Sequence, residues 1–250
     1  MKQKFLIGLL GIFCWISSYA QVRFIDRGKI FFERRVNQFA LEESLRGEEK
    51  MNTFFEEVRK LVPKVLVNQF ELSFTPQQSI YRISDDDTER KVLLQQLKPD
   101  NSDYTYTQLA ERNQVKVYTF MEQYVWKENL RTYRWKYTGE TREIAGFECK
   151  KALTTICDSV VVVAFYTDEI TVAGGPERFH GLPGMILGIA VPRLSLTLFA
   201  TKVELGDPVI KSPVKASTKF TDPAKLLKDL EKFSYMNARS KQLTLWMQAF

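Results

Sequence analysis

An α+β fold, in which a curved antiparallel sheet carries packed helices, is what the sequence predicts, and three observations predict it. Short apolar runs succeed one another through the middle of the chain with turn residues and no helical pattern between them, which points to an antiparallel sheet rather than βαβ units. Helical patterns stand on either side of those runs, at 41–61 and from Asp222 onward. The length, 250 residues, suits one sheet-rich domain, and no internal repeat or low-complexity tract argues for more.

The first element stands apart from that fold. "MKQKFLIGLLGIFCWISSYAQ" places two lysines, an apolar run from Phe5 to Ile16, then Ser-Ser-Tyr-Ala before Gln21, which is the order of a secretory signal peptide. Cleavage is expected after Ala20, leaving 21–250 as a single exported domain. The apolar run is shorter than the roughly 20 residues that span a bilayer, and no later segment approaches that length. A transmembrane segment is therefore not expected in the mature chain. Cys14 does not make a lipid-attachment site, because Phe13 stands where a small residue is needed.

An opening strand is expected at Lys29–Val36, where "KIFFERRV" mixes aromatic, β-branched and charged residues behind Gly28. Leu41, Leu45, Met51, Phe54, Phe55, Val58 and Leu61 then recur at helical spacing, interrupted by Gly47 and stopped by Pro63, which reads as an amphipathic helix. The period next shortens to two. Val65, Val67, Phe70, Leu72 and Phe74 mark a strand, "PQQ" a turn and "SIYRI" its hairpin partner. From Ser84 to Thr107 the pattern disappears, and a long excursion over the sheet is expected there. Seven strand candidates follow, at 115–120, 124–126, 131–137, 147–155, 159–167, 185–191 and 194–203. The last part, "TDPAKLLKDLEKF", opens with a capping Asp222 and Pro223 and puts Leu226, Leu227, Leu230 and Phe233 on one helical face. Lys241–Phe250 continues that helix or docks separately.

Charge is unevenly placed. Without Lys2 and Lys4 the formal charge falls from +6 to +4, and the tail from Lys211 onward carries +5, eight basic against three acidic side chains. Such a tail suits an anionic headgroup or acidic partner, although spaced lysines on a helix are the usual solvated face. An exported chain without a recognition motif is not expected to bind nucleic acid.

The candidate chemistry is sparse. His180 is the only histidine, so any Ser-His-Asp or Cys-His arrangement passes through it, and neither a Gly-x-Ser-x-Gly elbow nor a His-Glu-x-x-His pair surrounds it. Cys149 and Cys157 suggest a disulfide in an exported chain. An extended run between them would instead hold their Cα atoms roughly 26 Å apart, against the 7 Å or so that a bridge requires. Thiolate, imidazole and thioether suit copper(I), so Cys149, Cys157 and His180, with Met185, form an alternative metal set. No cofactor is expected otherwise. Asp168 with Glu169, and Asp85 to Asp87, are carboxylate groupings without apolar neighbours to bury them. In "FHGLPGMILGI", Pro183 and Gly184 suit the central positions of a type II turn that feeds a buried strand, with Leu182 tucked into the core.

"FYTDEITVAGGPERFHGLPGMILGI" resembles the signature of the GLPGLI family of exported Gram-negative envelope proteins, with Met185 in place of a leucine. "WKYTGETREIAGFECKKA" and "GKIFFERRVN" are similar to other parts of that family's pattern. The resemblance implies export to the periplasm or the outer membrane, an accessory role beside an outer-membrane receptor or other envelope protein, and no catalytic residues to carry over. It also implies a half-barrel similar to that of periplasmic lipoprotein carriers.

From these readings the expected function is non-enzymatic: binding of an apolar or peptidic ligand, or of a partner, in the concavity of the sheet. His180, Gly181, Leu182, Pro183, Gly184, Trp126 and Trp135 are the candidate binding residues. Phe70, Phe74, Tyr118, Phe120, Phe165 and Tyr166 are further aromatics available to line a groove. The alternatives are the copper-type site and a hydrolase of unrecognised type.

Overall fold

A computed structural model describes residues 24–47, 53–84, 91–232 and 236–250. The expected signal peptide and Asp85 to Asp87 lie outside them. The described strands are β1 (Gly28–Asn37), β2 (Val65–Phe74), β3 (Gln78–Ile83), β4 (Tyr104–Gln108), β5 (Asn113–Phe120), β6 (Glu122–Asn129), β7 (Lys136–Ile144), β8 (Phe147–Ile156), β9 (Val160–Thr167), β10 (Met185–Val191) and β11 (Leu196–Leu205). The helices are α1 (Gln38–Arg46), α2 (Thr53–Leu61), α3 (Lys225–Lys232) and α4 (Ala238–Ala249).

The strands form one antiparallel sheet in the order β6-β5-β4-β3-β2-β1-β11-β10-β9-β8-β7. Two meanders thus run outward from a central β1–β11 pair, in which Val36 faces Leu196 and Ile30 faces Val203. The chain leaves the sheet at one edge, β6, and re-enters at the other, β7, after only seven Cα steps from Asn129 to Lys136. Seven steps reach at most about 25 Å. A flat sheet of eleven strands would hold its edges roughly 48 Å apart. The short connector is therefore compatible only with a sheet that curls and brings its edges toward each other. Register breaks at Phe31/Phe32, Ile186/Gly188 and Tyr137/Thr141 supply local bends.

One face of the curled sheet is filled by the chain's own helices and loops. Leu41 of α1 and Leu243, Trp246 and Met247 of α4, with Phe250, join Phe32, Phe70, Phe74, Leu196 and Leu198 in the main core. A second cluster packs Leu226 and Leu230 of α3 on Tyr118, Phe120, Tyr124 and Trp126. An open aromatic concavity for an apolar ligand is thus not what the structure contains. Phe70, Phe74, Phe120 and Trp126 are core, because the helices that follow the sheet in sequence fold back over them. Phe165 lies in an aromatic pair with Phe199, with Arg142 over both rings.

Several expected elements shift. The 41–61 helix is broken, since α1 begins after Asn37, whose side chain accepts from the Ala40 N–H, and ends at Gly47 with φ 65°. The 84–107 excursion contains β4 at its end, and the strand expected at 131–137 lies at 136–144. β7 is an edge strand exposed along most of its length, so it lacks the apolar alternation that marks a buried one. At the other end, Asp222 accepts from the Ala224 N–H ahead of α3, and α4 docks as a separate helix capped by Asn237. No helix among the described residues is long and apolar enough to cross a membrane.

The "LPG" reversal forms in a tighter version than expected. The Gly184 N–H donates to the Leu182 carbonyl at 2.8 Å, a three-residue turn centred on Pro183, while the Met185 N–H pairs with the Ile170 carbonyl at 3.1 Å. Gly184 has φ 135°, and a Cβ there would stand 2.0 Å from the Thr167 carbonyl oxygen. Backbone proximity, rather than a type II turn, is what demands glycine at this position. Leu182 is buried in the core, as expected.

Candidate functional site

Alternation along three adjacent strands places charged and phenolic side chains on the filled face of the sheet. Tyr81 of β3 faces Thr105 of β4, which faces Lys116 of β5, so all three project from one row. Tyr118 follows Lys116 by two residues on the same side. Arg34 rises from β1 opposite Asn68 of β2, Asp103 precedes β4, and Glu177 comes from the loop before the "HGLPG" turn. With Phe70 and Tyr104 they surround a cavity of about 50 Å³, roofed by Met247 and Phe250.

The chamber is charged, and its charged side chains are largely buried. Arg34 is 6% exposed; its Nη2 donates to Asn68 Oδ1 at 3.1 Å and to the Leu97 carbonyl at 2.8 Å, and its guanidinium lies 4.9 Å over the Phe70 ring. Lys116 Nζ pairs with Glu177 Oε2 at 3.1 Å. Burial pulls the Lys116 ammonium below its ordinary pKa, and Glu177 opposes that pull. Burial pushes the Asp103 carboxyl up to about 6, against the Thr119 hydroxyl, the Asp100 backbone and the Lys116 charge, which hold it down. Burial raises both phenols, Tyr81 and Tyr118.

Four buried polar atoms in this chamber have no hydrogen-bond partner: Arg34 Nε, the Tyr81 and Tyr118 hydroxyls, and Asp103 Oδ1. Leaving such an atom unpaired costs about 1–3 kcal/mol. One donor, one acceptor and two hydroxyls that do both converge on one small space, which is the complement of a hydroxylated or otherwise mixed donor–acceptor group. Asp103 near pKa 6 can give or take a proton close to neutrality.

The residues singled out from sequence lie elsewhere. Trp135 and the "HGLPG" turn are brought together, as Trp135 Nε1 donates to the His180 carbonyl at 3.0 Å and the Tyr133 ring stands edge-on to the imidazole at 5.4 Å. Trp126 is not part of that group. It stacks on Tyr124 at 5.5 Å beneath α3, and the Arg178 guanidinium lies 5.9 Å from its ring. His180 is buried, its Nε2 is unpaired, and burial with the Arg112 charge brings its pKa down to about 4.

The metal alternative finds no geometry. Cys149 is buried and Cys157 exposed, both are free, and β8 runs extended between them. Burial pushes the Cys149 thiol up to about 12, which disfavours the thiolate a soft metal needs. No three His, Cys, Asp or Glu side chains gather around a common point among the described residues. Asp168 pairs with Lys150 at the surface at 2.5 Å.

Sequence reasoning passed over Arg34, Asp103, Lys116 and Glu177 because charge reads as solvent exposure. The legible signal was strand parity: Lys116 lies between Val115 and Val117 and two residues before Tyr118, a charge inside an otherwise buried run.

A family model described as "N-glycanase peptide, N-terminal domain" matches residues 65–229. Two solved structures titled for PNGF-II, in P21 and C2 space groups, share the fold with TM-scores of 0.53 and 0.52 at 16% and 15% identity. They cover 82% and 88% of this chain, which spans about a third of theirs, 32% and 33%. None of the curated proteins matches. These findings overturn two expectations. The family is not the GLPGLI family, although the likeness drew on three stretches, because the family model that matches residues 65–229 is a different one. The non-enzymatic reading falls with it, because the matching family is that of a glycan-cleaving enzyme's domain.

Proposed function

The chain belongs to the family of the N-glycanase N-terminal domain, and from that membership we propose that it serves the hydrolytic removal of N-linked glycans, with the Asp103 chamber holding one substituent of a sugar unit. The observation that carries the reading is the family match, whose span of 65–229 includes Tyr81, Asp103, Lys116, Tyr118 and Glu177, every charged or phenolic side chain named in the chamber except Arg34. A sugar hydroxyl donates and accepts at once, as the four unpaired atoms require. A space of about 50 Å³ takes one substituent of a sugar ring rather than the ring itself, so the rest of the glycan lies outward over Arg82, Lys98 and Tyr104. Asp103, partly protonated near pH 6, is the group suited to hand a proton to the departing side of the bond, while a water from solvent supplies the hydroxyl to the other side and its second proton restores the Asp103 carboxyl. Lys116 and Glu177 hold each other's charge and the polar wall in place. Export through the 1–20 segment is part of the same proposal, since N-glycosylated substrates are met outside the cell that makes the enzyme.

The test is glycan release from an N-glycosylated glycoprotein incubated with the full chain, followed by mass spectrometry of the liberated sugars. Release is expected to fall by a factor of about a hundred or more in Asp103→Asn, the scale of a lost general acid. A wild-type protein that neither liberates glycan nor binds free N-glycan would sink the reading.

A further inference from the structure

We propose that the hollow beside the His180–Gly181 turn is a second binding site, separate from the Asp103 chamber, for a carboxylate carried on a compact aliphatic body. The hollow has about 300 Å³ of space, several times that of the chamber, and its lining is both aliphatic and polar. Leu109, Leu130 and Val172 line it with aliphatic surface, and Arg112, His180, Thr171 and Asp26 are its polar lining.

Two observations make this a site for an anion. His180 is 9% exposed, and its Nε2 lies buried with no hydrogen-bond partner. The ring's surroundings are fixed, since its carbonyl accepts from Trp135 Nε1 at 3.0 Å and Tyr133 stands edge-on to it, so the unpaired nitrogen is held where it is. Arg112, on the β4–β5 turn with φ 55°, is exposed at the rim and forms no ion pair among the described residues. The carboxylate nearest the rim, Asp26, is occupied by Arg27 at 3.0 Å. A ligand carboxylate would pair with the solvated Arg112 charge and accept from the imidazole, removing the cost of the one buried unmet group, His180 Nε2. Aliphatic walls and the Asp26 charge select against a doubly charged phosphate, and the volume leaves room for a body beyond the carboxylate.

Binding is linked to protonation. Burial and Arg112 hold the free imidazole near pKa 4; a bound anion favours the cationic ring and raises that value, with Arg112 and Asp26 the charged groups facing the hollow. Affinity therefore rises as pH falls through the raised midpoint of the complex toward 4, the window in which the bound ring is protonated and the free ring is not.

The chain has one histidine, so its imidazole resonances report the site without assignment. The full chain is titrated at constant ionic strength with 3-methylbutanoate, with N-acetyl-leucine standing for a chain-terminal carboxylate, with the uncharged 3-methylbutanamide and with inorganic phosphate. A saturable shift with 3-methylbutanoate, accompanied by a rise of more than one pH unit in the His180 midpoint, supports a free acid as ligand. Saturation by N-acetyl-leucine alone supports a chain terminus. Arg112→Gln is expected to weaken binding at least tenfold and Arg112→Lys to retain most of it, with thermal melting verifying that both fold. No saturable shift with either acid, equal binding of the amide, or tighter binding of phosphate overturns the proposal.

Discussion

Lys116 Nζ lies 3.1 Å from Glu177 Oε2, and the two side chains are only 7% and 13% exposed. This pair joins the middle of a strand to a loop 61 residues later, so the floor of the chamber and its wall are held by one interaction. Removing either partner leaves an uncompensated charge in the interior. Lys116→Met and Glu177→Gln are each expected to cost about 3–5 kcal/mol, and the double variant less than the sum, because it strands no charge. Urea denaturation of the four proteins closes that cycle.

Asp103 gives stability a pH dependence of definite sign. Its carboxyl titrates near 6 in the folded chain against 3.8 in the unfolded one. Between those values the folded state binds more protons, so stability is greatest below the unfolded pKa and declines as pH rises through about 6. The loss amounts to about 1–3 kcal/mol at neutral pH, and Asp103→Asn is expected to flatten the slope in chemical denaturation followed from pH 4 to 8. An unchanged slope would show that Asp103 titrates normally.

Gly184 and Gly174 lie in one loop region with opposite requirements. A Cβ on Gly184 would meet the Thr167 carbonyl oxygen at 2.0 Å, whereas one on Gly174 would make only ordinary contacts, with the Met185 side chain at 3.5 Å and Val172 Cγ1 at 3.7 Å. Gly184→Ala is expected to lower the melting temperature by many degrees or prevent folding. Gly174→Ala should stay within a degree or two of the parent, by calorimetry.

The cysteines should separate by accessibility. Cys157, exposed at the β8–β9 turn, is expected to label within minutes with a maleimide under native conditions, although burial of its sulfur raises its pKa somewhat. Cys149, buried and with its thiol near 12, is expected to label only after denaturation. Mass spectrometry should find no bridge between them, since β8 holds them apart.

Much of the sheet was legible because strands buried mainly on one face alternate and those buried on both faces read as apolar runs. β2, β5, β9 and β10 carry the alternation or apolar runs that the pleat imposes, and the limits expected for the strand at 185–191 coincide with those observed. β7 was displaced because an exposed edge has no such pattern. The chamber was illegible for a different reason. Arg34, Lys116, Asp103 and Glu177 are far apart in sequence, and each becomes tolerable in the interior only through a partner that the curled sheet supplies. Residue type signals solvent, and only the fold reveals the pairing. His180 drew attention as the sole histidine and occupies a real hollow, but its neutral, buried ring is a poor base.

The six residues between β6 and β7 act on the sheet as a string acts on a bow. Leu130 to Trp135 tie together edges that lie ten strand spacings apart along the sheet, so the radius of the whole arc is set by their length. Leu130 itself lines the His180 hollow, and Tyr133 and Trp135 of the same stretch hold the His180 turn. Inserting or removing a residue in this short stretch would therefore reset how far the two edges stand apart and reshape the hollow that Leu130 lines, without altering a single side chain that lines the chamber.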